Sequence, residues 1–172
     1  MCQESERKME NNRGMAEVTV DMLIQKKWHI SFAESCTGGL AAARLVEVAN
    51  ASAVLEASVI TYANSAKVKY AGVSPDTIEA HGVVSEEVAG QMARGIAKQN
   101  QAEVGVGISG IAGPTGGSAA KPVGMVCFGF WINGRLETDT MQFGALGRNM
   151  VREKSVEYVY QRLEELLKGI QE

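Results

Sequence analysis

Apolar and polar positions alternate along this chain with two different periods, and each change of period marks an element. From Ala16 the stretch AEVTVDMLIQKK sets Val18 and Met22 four residues apart, with Gln25 and Lys26 one turn on. That pattern predicts a short amphipathic helix with a basic end. WHISFAE follows as a strand. Alanine and leucine dominate GLAAARLVEV, so a helix is expected to start at Thr37-Gly38-Gly39. VLEASVITYA is a β-branched run and reads as the second strand. NSAKVKYAG opens on Asn64, an N-cap residue type, and stops at Gly72, which suits a short helix. SPDTIEAHG predicts another helical turn, with Pro75 at its first position. SEEVAGQMARGIAKQ has Ser85 as N-cap, two acids in the first turn, and Val88, Met92 and Ile96 as a core stripe. AEVGVGIS and GMVCFGFWI are strands, and Asn133-Gly134 predicts a hairpin into LETDTMQF. VREKSVEYVYQRLEELLKG closes the chain as a long helix with Val156, Val159, Leu163 and Leu166 on one side.

This order, α-β-α-β-α-α-α-β-β-β-α, implies an α/β fold: a three-layer α/β/α sandwich with a mixed, mostly parallel sheet. The polar N-terminus MCQESERKMENNRG lacks an apolar segment, so residues 1–14 are expected to be a disordered leader. Residues 15–172 are expected to form one domain, since 172 residues suffice for a single core. Ligands in such sheets gather beyond the carboxyl ends of the strands. Four stretches fall there: AESCTGG, TYANSAK, SGIAGPTGG and the segment around Arg148.

Composition changes this picture only by exclusion. A net charge of −3 offers no basic field for nucleic acid. No apolar run approaches the roughly 20 residues that cross a bilayer. Three cysteines, Cys2, Cys36 and Cys127, form no CxxC pair, so a disulfide framework or zinc site is not expected and a reducing cytoplasm is.

The chemistry centres on SFAESCTGG, where Ser35, Cys36 and Thr37 stand side by side. Each is a weak nucleophile until something activates it. Only His29 and His81 are available as histidine bases. His29 is separated from Ser35 by six extended residues, about 20 Å. His81 sits at a helix C-terminus, where a cation complements the dipole. Both read as structural, and two histidines without an acidic cluster argue against a metal centre. Lysine remains: TYANSAK leaves a strand at Tyr62 and enters a helix, an arrangement that lets Tyr62 and Lys67 face the same cleft as Ser35, although spacing alone favours a solvated helix lysine beside Lys69 and an ordinary strand-end tyrosine. A lysine serves as base only if burial or a nearby cation depresses its pKa. From the residues alone a thiolate at Cys36, beside a helix N-terminus, is an equal candidate. The loop GISGIAGPTGG lacks the Gly-Lys-Ser/Thr of a P-loop, yet its glycines allow amides to face an anion. Arg148 and Arg152, four apart at the start of the last helix, oppose its dipole; a phosphate or a salt bridge would account for them.

Together AESCTGGL, SVITYANSAK, GVVSEEVA, GISGIAGPTGG, KPVGMV and GRNMVREKSV resemble the CinA C-terminal domain family over roughly Val18 to Leu167. Its enzymatic members are nicotinamide mononucleotide deamidases, also called nicotinamide-nucleotide amidohydrolases. The resemblance implies Ser35 as nucleophile, Lys67 as its base and Tyr62 as an assisting proton relay. It implies oxyanion or substrate contacts from Cys36, Thr37, Gly38 and Gly39, from Ser109, Gly110, Gly113 and Gly117, and from Arg148 and Arg152. No cofactor or metal is implied. A pyridine nucleotide is the expected substrate and a homo-oligomer the expected assembly, without a nucleic-acid or membrane partner. The form expected is the stand-alone one. Where family members commonly have Gly-Asp-Arg before the last helix, this chain has Leu146-Gly147-Arg148. The rival expectation is a non-catalytic protein of the same fold that binds a nucleotide or a partner and is linked to competence.

Overall fold

Five strands form one sheet in the order β2-β1-β3-β4-β5, built from β1 (Ile30–Glu34), β2 (Leu55–Ile60), β3 (Val104–Gly110), β4 (Met125–Ile132) and β5 (Arg135–Gln142). The computed structural model describes the backbone of residues 2–170, with side chains described from Gly14 to Ile170. β1 is buried at every position and β3 at all but its last, as strands covered on both faces must be. β1 pairs in parallel with β2 and β3, whereas β3–β4 and β4–β5 are antiparallel. The pairings are therefore evenly divided, although only β4 runs against the rest. The antiparallel half follows from the two-residue Asn133-Gly134 turn, in which both residues take positive φ, 44° and 95°, as a primed turn requires.

The helices are α1 (Cys2–Lys26), α2 (Leu40–Val46), α3 (Asn64–Ala71), α4 (Pro75–His81), α5 (Glu86–Gln99) and α6 (Arg148–Lys168). α1, α2 and α6 cover one face of the sheet; α5 covers the other, with α3 and α4 packed on it. The three-layer α/β sandwich holds. After β1 the chain turns through α2 to β2 on one side, then crosses by α3, α4 and α5 to β3 on the other. The carboxyl ends of β1 and β3 thus flank a topological switch point, where a crevice opens.

Local signals succeed where the determinant is local. Ser85 accepts the Val88 N–H at 3.3 Å, and Val88, Met92 and Ile96 are fully buried. α4 begins at Pro75, and α3 ends at Gly72 with φ 65°. Three details differ. The cap of α3 is Ala63, not Asn64, whose side chain makes no capping bond. The buried stripe of α1 is Ala16, Thr19, Val20 and Leu23, while Val18 points to solvent, because Ala and Thr fit close against α6 and the expected pattern counted only larger apolar residues. In α6 the buried set continues to Leu167, with Leu166 half-buried and Tyr160 fully so. α1 runs back to Cys2, across the stretch expected as a leader. Its Glu, Arg, Lys, Gln and Met residues are good helix formers uninterrupted by proline; lack of apolar residues bears on packing, not on helix propensity. Met1 lies outside the described residues.

Tight contact between α5 and the sheet rests on missing side chains. Gly107 and Gly129 are partners across β3 and β4, and a Cβ on either would stand 2.2 Å from the Ala89 carbonyl oxygen. The helix can sit at this depth only because both are glycine.

Candidate active site

A pocket of about 270 Å³ opens at the switch point. Ser35 and Cys36 enter it from the turn after β1, Tyr62, Asn64 and Lys67 from the β2–α3 junction, and Arg148 from the start of α6. Ser109 and Gly110 line it from the end of β3, and Val83 and Val84 form a wall ahead of α5. The four stretches expected at the carboxyl edge do converge.

Lys67 is the unusual residue. It lies one turn into α3, is 1% exposed, and places Nζ where it donates to Ser35 Oγ at 3.0 Å. The same amine donates to the Thr61 carbonyl at 2.7 Å and to the Tyr62 carbonyl at 3.4 Å. Burial lowers its pKa to about 8, and the neighbouring Cys36 works weakly the other way. A neutral amine has two hydrogens and one lone pair. With the hydrogens on the two carbonyls, the lone pair faces Ser35.

Cys36 is placed beside this pair but in the opposite electrostatic state. Burial pushes its thiol up to about 12, and Glu34 adds to the rise. The N–H groups of Cys36 and Thr37 both face the sulfur and offset the rise only in part. A thiol so raised is not a thiolate at neutral pH, whereas the Ser35 hydroxyl has the Lys67 amine at 3.0 Å.

The turn after β1 is held by Glu34, which the sequence did not single out. Its carboxylate is fully buried and accepts the N–H groups of Gly39 at 3.0 Å, Ala41 at 3.1 Å and Ala42 at 2.9 Å. Gly38 N–H goes to the Ser35 carbonyl and Leu40 N–H to that of Thr37. Gly38 and Gly39 therefore have no N–H left for a ligand, and Thr37, Gly38 and Gly39 shape the turn rather than line the pocket. Among the described residues, the N–H groups of Cys36 and Thr37 enter no backbone hydrogen bond.

The remaining expected residues divide. Ser109 lines the pocket while its hydroxyl donates to the Val83 carbonyl at 2.7 Å. Gly113 and Gly117 lie behind the lining, where Ile111, Ala112, Thr115 and Gly116 take their place. Arg148 bridges the pocket mouth, donating to the Tyr62 hydroxyl at 2.6 Å and the Gly113 carbonyl at 2.9 Å. The Tyr62 ring is 60% exposed, and its hydroxyl meets Arg148 rather than Lys67. Arg152 turns away from the pocket to donate to the Thr37 carbonyl at 2.9 Å, which accounts for its position without an anion. Lys121, unanticipated, donates to the carbonyls of His81 and Val84 and so ties the glycine-rich loop to the Val83–Val84 wall. His29 pairs with Glu103 and His81 with Glu87, both outside the pocket lining. Among the described residues no cluster of three or more His, Cys, Asp or Glu is placed to hold a metal ion, and no helix is long and apolar enough to cross a membrane.

Comparison with known proteins bears on the whole chain. The family model described as CinA C-terminal domain matches residues 12–167. A CinA-like protein of Kosmotoga olearia is 45% identical over 141 residues, 82% of this chain and 34% of that protein. A CinA-like protein of Desulforapulum autotrophicum is 48% identical over 129 residues, 75% of this chain and 30% of that protein. The chain thus spans about a third of the length of these curated relatives. Among solved structures, the competence/damage inducible protein CihA from Agrobacterium tumefaciens superposes with a TM-score of 0.88 at 37% identity, covering 92% of this chain and 96% of that one. The competence damage-inducible protein A from Klebsiella pneumoniae gives 0.88 at 33% identity, covering 93% and 99%. By sequence and by fold, the chain belongs to the CinA C-terminal domain family.

Proposed function

We propose that this protein hydrolyses the carboxamide of nicotinamide mononucleotide to nicotinate mononucleotide and ammonia through a serine acyl-enzyme. The observation that carries the reading is the buried Lys67 amine, 3.0 Å from Ser35 Oγ with its pKa brought down to about 8. A hydroxyl paired with a buried amine of lowered pKa has the parts of a nucleophile and its base.

Ser35 Oγ attacks the carboxamide carbon as Lys67 Nζ takes its proton. The carbonyl oxygen becomes an oxyanion, to which this reading assigns the N–H groups of Cys36 and Thr37; neither has a backbone partner, and both would turn from the Cys36 sulfur to the new charge. One such donor contributes about 3 kcal/mol of barrier lowering. The carbon–nitrogen bond then breaks as the Lys67 ammonium returns its proton to the departing nitrogen, giving ammonia and a nicotinoyl ester on Ser35. Water attacks the ester, its proton passes to Lys67, and the released Ser35 oxygen recovers that proton. The pyridinium withdraws electrons from the carbonyl and makes it a good electrophile without a cofactor. Tyr62, held by Arg148 at the mouth, is the assisting proton carrier, and Arg148 is the cation nearest to hand for the substrate phosphate. The same reading takes the protein as a cytoplasmic homo-oligomer without a nucleic-acid or membrane partner.

Ammonia release from nicotinamide mononucleotide, nicotinamide riboside and free nicotinamide tests it. Wild type is expected to turn over the mononucleotide, Ser35→Ala to lose turnover, and Cys36→Ser to keep it. Equal release by wild type and Ser35→Ala rejects Ser35 as nucleophile. No release from any of the three leaves the rival, a nucleotide- or partner-binding role linked to competence. Equal rates on all three amides remove the phosphate contact at Arg148.

A further inference from the structure

Glu34 is a fully buried carboxylate directly before the nucleophile, and the scheme above gives it no step. Its carboxylate oxygens are engaged within one turn of chain. Oε2 takes the N–H groups of Gly39 and Ala41, and Oε1 takes that of Ala42. Ordinarily the first N–H groups of a helix are capped by the residue just before it, or are left to a ligand. Here Gly39, the residue before α2, has no side chain, and the acceptor comes from five residues upstream across the turn that carries Ser35. The carboxylate is therefore a strap: β1 on one side, the start of α2 on the other, and Ser35 to Gly38 held between them. Its main chain works in the same direction. The Glu34 carbonyl accepts the Thr61 N–H at 2.8 Å, and the Thr61 carbonyl accepts Lys67 Nζ at 2.7 Å. One residue thereby fixes the turn of the nucleophile and the anchor of the base.

We propose that Glu34 is a positioning residue for Ser35: by taking the N–H groups of Gly39, Ala41 and Ala42, its carboxylate fixes the turn in the form that points Ser35 at Lys67. This rests on the serine amidohydrolase reading. The role is specific to two acceptor oxygens at this reach. Glutamine has the same length but presents an NH₂ where one oxygen stood, so a donor meets a donor. Aspartate keeps both oxygens but stops one methylene short. Misplacement of a reacting group by about 1 Å costs on the order of 100-fold in rate. The loss is expected in kcat, because Glu34 is not among the residues that line the pocket.

The experiment measures kcat and KM for ammonia release from nicotinamide mononucleotide by wild type, Glu34→Gln and Glu34→Asp. Rates are normalised to folded protein by circular dichroism, and labelling of Ser35 by a fluorophosphonate is followed alongside. Amide hydrogen exchange over residues 35–42 reads the turn itself. The expected result is a kcat reduced about 30- to 100-fold in both variants with KM within about threefold. Ser35 labelling slows in parallel, and exchange quickens at residues 35–42. A kcat per folded molecule within twofold of wild type in either variant overturns the positioning role while leaving Ser35 as nucleophile. Slower turnover that only tracks the loss of folded protein overturns it too. Wild type that neither releases ammonia nor labels at Ser35 rejects the amidohydrolase reading itself, and the positioning role with it.

Discussion

Two lysines donate to pairs of main-chain carbonyls around this pocket, and their contrast shows what makes a base. Lys67 reaches the carbonyls of Thr61 and Tyr62; Lys121 reaches those of His81 and Val84. Lys67, however, is 1% exposed and shares its cavity with a hydroxyl, whereas Lys121 stands half-buried on a loop. For Lys67 the loss of water outweighs the opposing effect of Cys36 and brings the pKa to about 8. On the proposed reading, the carbonyl cage alone is a clamp, and removing water turns that clamp into an acid–base group.

The contrast fails or sharpens by experiment. Lys67→Met is expected to lower kcat about 1,000-fold, the range of a lost general base, while Lys121→Met leaves kcat within about threefold. Comparable losses from both would erase the distinction. Next in size is the pH profile. Lys67 accepts a proton only when neutral, so kcat/KM should fall about tenfold per pH unit below about 8 and level off above it. A profile flat from pH 6 to 9 would remove Lys67 as base.

Stability gives a third, smaller effect. The folded pKa of about 8 lies below the ordinary 10.5, so between those values the unfolded chain binds more protons than the folded one. The stability of wild type relative to Lys67→Met should therefore be lowest and constant below pH 8, then rise with pH toward about 10.5. Chemical denaturation at pH 7, 9 and 10 reads this directly; the opposite slope would contradict the depressed pKa. The smallest effect is that of Lys121→Met on stability, about 1 kcal/mol for two partly solvated hydrogen bonds, accompanied by a modest rise in KM as the Val83–Val84 wall loosens. Unchanged KM and stability would show that Lys121 ties nothing down.

How much of this was legible depends on the reach of each determinant. Ser85, Pro75, Gly72 and the Asn133-Gly134 turn act on their immediate neighbours, and their elements are where the pattern puts them. The meeting of Ser35, Tyr62, Lys67 and Arg148 at one edge followed from strand ends in an α/β sheet, and spacing alone still left Ser35 and Cys36 as equals. What separates them is burial and the direction of Lys67, and neither is written in one stretch of sequence. Glu34 was missed because an acid at a strand end reads as a solvated one; only the fold shows three N–H groups around it. The signal lay in the glycine pair that follows, since a helix starting after Gly39 has no side-chain cap of its own. Arg152 shows the complementary case: a cation at a helix start reads as an anion ligand or half of a salt bridge, and only the fold shows that a carbonyl from another segment meets it.

The glycine pair under α5 has a consequence for remodelling this protein. Because a methyl group at Gly107 or Gly129 would collide with the Ala89 carbonyl, the helix already rests as deep as atoms allow. The Val83–Val84 wall hangs from its leading end, so there is no slack behind that wall for a bulkier amide. Alanine in either strand would act like a shim, jacking the helix outward. Engineering for larger substrates thus has to begin at the loops on the opposite rim.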